Sequence, residues 1–165
     1  MHFSIEQRFA LPLEAVEATY WDPEFIARMA ELPKLGHPRL LSHEVDGDIL
    51  HRQVRYAFAG DLSGAVRRVV DPARLTWVED STSDRRTHRT SFRILPDHYA
   101  ALLHCHGTFT LRADGTGATL RIAEGEMKVS VPFVGGKVER AIVSGLEDQA
   151  RGEVELVEGW ADRGA

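Results

Sequence analysis

The chain has 165 residues, 43% hydrophobic and 27% charged, with a formal net charge of -5 at pH 7. That length suits one domain, spanning 1–165, with a sizeable core, and the acidic balance argues against a general nucleic-acid binder, which needs a basic surface. A single cysteine, Cys105, excludes an internal disulfide and a cysteine-based zinc site, and it fits a reducing compartment. The first residues, M-H-F-S-I-E-Q-R, carry Glu6 and Arg8 where a signal peptide needs an apolar core. No stretch approaches the roughly 18 uninterrupted apolar residues of a membrane span, so a cytoplasmic protein without integral membrane association is expected.

Residues 2–11 alternate Phe3, Ile5, Gln7, Phe9 and Leu11 against polar neighbours, the period of a half-buried strand that Pro12 ends. Residues 13–20 form a short helix candidate. Asp22-Pro23-Glu24 starts a second one with an N-cap acid and proline at the first helical position, and Phe25, Met29 and Leu32 supply its apolar face. From Arg39 the period returns to two. Leu41, His43 and Val45 run to the turn Asp46-Gly47-Asp48, and Leu50, Arg52, Val54, Tyr56 and Phe58 run back from it as a hairpin.

Residues 59–71 carry Gly60 and Gly64, which invite a bend, and Val66, Val69 and Val70, which suggest a brief edge or connecting strand. Asp71-Pro72 closes this segment as a turn. Residues 75–80 are the next strand. A polar tip at Ser81-Thr82-Ser83-Asp84 turns it into a strand over 85–95 that sends its arginines to water and His88, Thr90, Phe92 and Ile94 inward. Ala101, Leu103, Cys105, Gly107, Phe109 and Leu111 form the apolar face of a long strand. Asp114-Gly115-Thr116-Gly117 turns it into a last strand over 118–131. After Gly136 the period becomes about 3.6, and Val138, Ile142, Leu146, Leu156, Val157 and Trp160 share one helical face with Gln149 and Glu153. Ala141, Gly145, Gly152 and Gly159 line one side of that stripe, which should face inward for close packing or to make room for a ligand.

One strand, two small helices, a run of antiparallel strands and a long C-terminal helix is an order that resembles the START-like, or helix-grip (SRPBCC), superfamily. That superfamily includes polyketide cyclase/dehydrase-like and lipid-transfer proteins. Residues 131–140, V-P-F-V-G-G-K-V-E-R, are similar to the signature of an uncharacterised START-like branch known only as a domain of unknown function, and Glu139 and Trp160 stand where that branch has them. The resemblance implies an α+β helix-grip fold, a curved antiparallel sheet around a long C-terminal helix, enclosing a hydrophobic cavity. It carries no established catalytic residue.

Candidate cavity residues follow from these faces: Ile142, Leu146, Gln149, Glu153 and Leu156 on the helix, and Tyr56, Phe58, Trp77, His88, Thr90, Phe92 and Phe109 on the sheet. Glu153 has three readings: wet beyond the sheet, paired with Arg52 or another inward basic residue, or, with Gln149, a polar anchor in an apolar pocket. Tyr56 and Trp77 serve equally as ordinary core aromatics.

His104-Cys105-His106 looks like a metal or nucleophile motif, but on a strand both histidines leave on the face opposite Cys105, and two histidines without a third ligand hold a metal weakly. No metal site or cofactor is expected. Val134-Gly135-Gly136-Lys137 lacks the spacing of a phosphate loop and reads as a tight strand-to-helix entry needing permissive φ. The sequence therefore points to binding of an apolar or amphipathic small molecule such as a lipid or polyketide-like compound. The alternatives are a cyclase/dehydratase-like enzyme using Glu153 or His88 as acid or base, and a protein interaction module with a collapsed cavity.

Overall fold

Strand β1 (His2–Phe9) opens the computed structural model, which describes residues 1–163. Among these residues six further strands follow: β2 (Arg39–Asp46), β3 (Ile49–Ala57), β4 (Thr76–Asp84), β5 (Arg89–Pro96), β6 (Leu103–Ala113) and β7 (Thr119–Val129). They form one antiparallel sheet in the order β1-β7-β6-β5-β4-β3-β2. Helix α1 (Leu13–Trp21) and a 3-10 helix (Pro23–Glu31) lie between β1 and β2, a short α2 (Gly64–Arg67) lies between β3 and β4, and α3 (Gly135–Asp162) closes the fold.

The sheet's inner face and the helices share two apolar clusters. Phe9, Val16, Phe25, Ile26, Met29, Leu32, Val54, Tyr56 and Val157 join α1 and the 3-10 helix to the far half of α3, while Phe3, Phe92, Cys105 and Met127 pack with Ile142 and Leu146 nearer its start. Edge-to-face rings bind the first cluster, with centroids 6.2 Å apart for Phe9–Tyr20, 5.9 Å for Tyr20–Phe25 and 5.8 Å for Phe25–Trp160. Polar ties fix the ends of α3. Glu139 Oε1 accepts from Val129 N at 2.9 Å, Glu158 Oε1 from Ala10 N at 2.7 Å, and Trp160 Nε1 donates to Asp22 Oδ2 at 3.3 Å. Where Gly107 and Gly125 face each other across β6 and β7, a Cβ on Gly107 would fall 2.2 Å from Glu124 O and one on Gly125 would meet the Phe3 ring at 2.7 Å. Only hydrogen at these two positions allows such close approach.

Several local expectations are corrected. The β4–β5 tip is at residues 85–88, because Ser81, Thr82, Ser83 and Asp84 pair with β3 and β5 while the Asp84 carboxylate accepts from Arg86 N at 2.9 Å and turns the chain there. His88 consequently stands in the turn with φ 55, ahead of the strand. Residues 59–71 contain α2 and no strand: β3 and β4 pair directly with each other, Tyr56 opposite Trp77, so the insert loops out between them. On β2 a register shift between Leu40 and Ser42 and an edge position leave Leu41 and Val45 exposed.

On α3, Gly152 packs on Leu32, where a Cβ would come within 3.0 Å of Cδ2, but Ala141 and Gly159 face water. Before α3 the positive φ falls on Phe133 (68) and on neither glycine. Gly135 is needed for space, since a Cβ there would lie 2.3 Å from Val129 O.

Candidate functional site

Alternation along each strand brings one polar residue after another to the same inner belt. Gln7 lies opposite Arg121 on β1 and β7, Ser83 opposite Thr90 on β4 and β5, and Arg52 opposite Ser81 on β3 and β4, with Glu79 two residues before Ser81. These positions share the parity of buried neighbours: Arg121 with Ala123 and Met127, Arg52 with Leu50 and Val54. The belt surrounds a cavity of about 40 Å³ between the sheet and α1. Its lining includes Glu17, Tyr20, Trp21, Arg52, Glu79, His88, Thr90, Phe109, Leu111 and Arg121. That volume holds a few water molecules.

Arg121 is the hub. Its guanidinium lies 4.3 Å from the Tyr20 ring centroid and 3.9 Å from that of Phe109. Nη1 donates to Gln7 Oε1 at 2.7 Å and stands 3.6 Å from Glu153 Oε2, with the two side chains only 12% and 8% exposed. Gln7 completes the link by donating from Nε2 to Glu153 Oε2 at 3.3 Å and to Ala150 O at 2.9 Å. Strand β1, strand β7 and helix α3 thus meet in one buried polar junction.

At the mouth, His88 Nδ1 is 3.1 and 3.2 Å from the two carboxylate oxygens of Glu17, and the Arg85 guanidinium lies 3.9 Å from the Trp21 ring. These two contacts hold the β4–β5 turn against α1. Burial pushes the Glu79 carboxyl up, an effect that Arg52 and Arg121 oppose without cancelling. Burial likewise raises the Tyr20 phenol, so it stays neutral at ordinary pH.

The predicted cavity residues separate into groups. His88, Thr90 and Phe109 line the cavity, with Thr90 Oγ1 2.8 Å from Ser83 Oγ, and Glu153 sits behind Arg121. Tyr56 stacks on Trp77 at 5.9 Å, and Phe92 stacks on Phe109 at 4.6 Å. Ile142, Leu146 and Leu156 pack into the two clusters, Phe58 bridges to Leu35, and Gln149 is half-buried.

Arg121, Glu79, Tyr20, Glu17 and Trp21 were not picked out from the sequence. A charged residue at the inward parity of an apolar strand is the signal that marks Arg121, in T-L-R-I-A-E-G-E-M, and Glu79, two residues after Trp77. Cys105 is buried and its thiol is pushed up to about 11 by burial, while His104 and His106 are exposed on the opposite face. No group of three or more His, Cys, Asp or Glu among the described residues is placed to hold a metal ion, and none of their helices is long and apolar enough to cross a membrane.

A seven-stranded antiparallel sheet gripping a long C-terminal helix, with short helices after the first strand, is the START-like helix-grip fold. The same fold is found in the protein TTHA0849 from Thermus thermophilus, 16% identical with a TM-score of 0.70, covering 95% of this chain and 97% of that one. It recurs in the Zhui aromatase/cyclase from a Streptomyces species, 16% identical with a TM-score of 0.66, covering 99% and 94%. A START superfamily protein from Mycobacterium smegmatis is 15% identical with a TM-score of 0.61, covering 99% of both chains. Residues 4–161 match the family described as protein of unknown function (DUF2505), and the chain belongs to that family. No curated protein matches the chain.

Proposed function

We propose that this protein binds an apolar or amphipathic small molecule, of lipid or polyketide-like kind, in the cavity between the sheet and the helices, and that the polar belt orients the ligand's polar end. One observation carries the reading: the centre of the fold holds Arg52, Glu79 and Arg121 on the wall of a cavity, with Glu153 behind Arg121, where an apolar filling would stabilise as well or better. Polar groups that converge beside the apolar surface of Trp21, Phe109 and Leu111 can orient an amphipathic small molecule. A purely structural or interaction role needs no such cluster. The fold's occurrence in an aromatase/cyclase and in a START superfamily protein agrees with this reading.

A cavity of about 40 Å³ is far below the several hundred Å³ of typical organic-ligand sites, so uptake requires α1 to part from the β4–β5 turn. The contacts of Glu17 with His88 and Trp21 with Arg85 are those that must open. Native mass spectrometry of the purified protein tests the proposal: a co-purifying small molecule, released on denaturation, is expected. A ligand-free spectrum, together with no uptake of a neutral fluorescent probe such as N-phenyl-1-naphthylamine, would sink it.

A cyclase- or dehydratase-type reaction in the same cavity is the second reading. Glu153 and His88, the acid–base candidates of the sequence, are engaged with Arg121 and Glu17 respectively. Glu79 takes their place, because it lines the cavity, its carboxyl is raised by burial, and no side-chain or backbone group hydrogen-bonds it among the described residues. If this reading holds, Glu79→Gln abolishes turnover of a bound β-polyketone while leaving its affinity within a few-fold.

A further inference from the structure

Among the described residues three buried side-chain polar atoms have no hydrogen-bond partner: Tyr20 Oη, His43 Nδ1 and Arg52 Nε. They are neighbours. Arg52 pairs with His43 across β3 and β2, and its Nη1 donates to the carbonyl of Tyr20 at the end of α1. Arg52 and Tyr20 both line the cavity.

The charges around them are uneven. Arg121 is matched by Glu153, and Glu17 faces His88, yet no carboxylate oxygen among the described residues lies within the 4.0 Å of an ion pair with Arg52. The nearby Glu79 carboxyl is pushed toward its neutral form by burial. Asp22, which also acts on His43, accepts from Trp160 Nε1. Burial and the Arg52 field both hold His43 below its ordinary value, so the ring is neutral near pH 7. Glu153 acts on the Tyr20 hydroxyl through its charge and as the nearest acceptor, raising the phenol further, but no well-formed hydrogen bond closes on that hydroxyl. A half-buried guanidinium that lacks an ion-pair partner and keeps a buried, unbonded Nε–H, next to a phenol O–H that closes no hydrogen bond, is costly unless something accepts from it.

Resting on the binding reading above, we infer that Arg52 and Tyr20, with His43 behind them, form the head-group subsite of the cavity, and that the ligand it takes ends in an oxyanion, either a carboxylate or the enolate or phenolate of a planar carbonyl compound. Arg52 Nε–H and Tyr20 Oη–H donate to that oxygen. The Arg52 charge then gains the counterion that the protein does not supply.

The test uses matched probes on the full chain. Benzoate and benzamide share a ring and differ in charge, and 4-nitrophenol reports its own ionisation through the phenolate absorbance band. Benzoate is expected to bind roughly tenfold or more tightly than benzamide, as a charge-assisted bond between buried groups implies, or the protein lowers the apparent pKa of bound 4-nitrophenol. The first outcome assigns a carboxylate head group and the second an enolate or phenolate; either supports the subsite.

Arg52→Gln should erase the preference by weakening benzoate far more than benzamide, and Arg52→Lys, which keeps the charge, should restore part of it even if both variants melt earlier. Equal affinity for benzoate and benzamide with unshifted 4-nitrophenol would overturn the subsite, and uptake of N-phenyl-1-naphthylamine in the same experiment would leave the binding reading standing. Failure of every probe, the neutral one included, would overturn both.

Discussion

Replacing Arg121 by methionine is the sharpest test of the buried junction. The substitution removes the ion pair with Glu153, the bond to Gln7 Oε1 and the stacking over Tyr20 and Phe109, and it leaves a carboxylate only 8% exposed with Gln7 Nε2 as its remaining donor. Breaking one side of such a pair costs about 3–5 kcal/mol, since the other charge stays desolvated and alone. For a chain of this size that corresponds to a fall in Tm of roughly 6–20 °C. Urea denaturation followed by tryptophan fluorescence, at constant m-value, measures it directly.

The double variant R121M/E153M removes both charges and should recover most of the loss, because an apolar pair of similar volume needs no counterion. A double-mutant cycle in which the two losses simply add, or an R121M cost below about 1 kcal/mol, would refute the claim that the two groups form one buried unit.

Three further outcomes follow from local structure. Glu79, whose carboxyl is raised by burial, favours folding most below the ordinary glutamate value of about 4.3 and loses that contribution as pH rises toward its folded value. Glu79→Gln should therefore raise Tm at pH 7, and the gap to the parent should close below about pH 4; a gap independent of pH would contradict the assignment. Asp114 shows the opposite sign: bonds from Thr116 Oγ1, Thr116 N, Arg8 and Ala118 N hold it down to about 2. Its contribution is full above the ordinary aspartate value of about 4 and fades as pH falls through the folded one, so Asp114→Asn should lower Tm at pH 7 and match the parent near pH 2 in the same melting series. Gly159→Ala on the open side of α3 should stabilise by about 0.5–1 kcal/mol in chemical denaturation, whereas Gly152→Ala should gain less because its Cβ meets buried Leu32.

Periodicity made much of the architecture legible. The change of period near Gly136 located α3, Gly47 located the β2–β3 turn, and Asp22-Pro23 located the 3-10 helix, whose N-cap carboxylate does accept from Glu24 N at 2.9 Å. Register was less legible where composition is polar: the Ser-Thr run at 81–83 reads as a turn by composition, yet pairing on both sides makes it a strand interior. Sequence placed Glu153 on the inward face and named pairing as one explanation, but the partner, Arg121, lies on a strand that alternation alone does not set beside α3. The polar belt is a property of register across six strands. It appears only when Gln7, Arg121, Thr90, Ser83, Glu79 and Arg52 are stacked side by side.

The central claim is that ligand enters the belt-lined cavity. A second hollow competes with it, the open groove of about 480 Å³ between β1 and α3 lined by Ile5, Gln7, Ala150 and Val154. Amide chemical-shift mapping of the isotope-labelled protein titrated with decanoate, an amphipathic probe, decides between them. Saturable shifts at Tyr20, Arg52, Thr90, Leu111 and Arg121 are predicted, and shifts confined to residues 4–8 and 147–155, or none at saturating probe, would contradict the account.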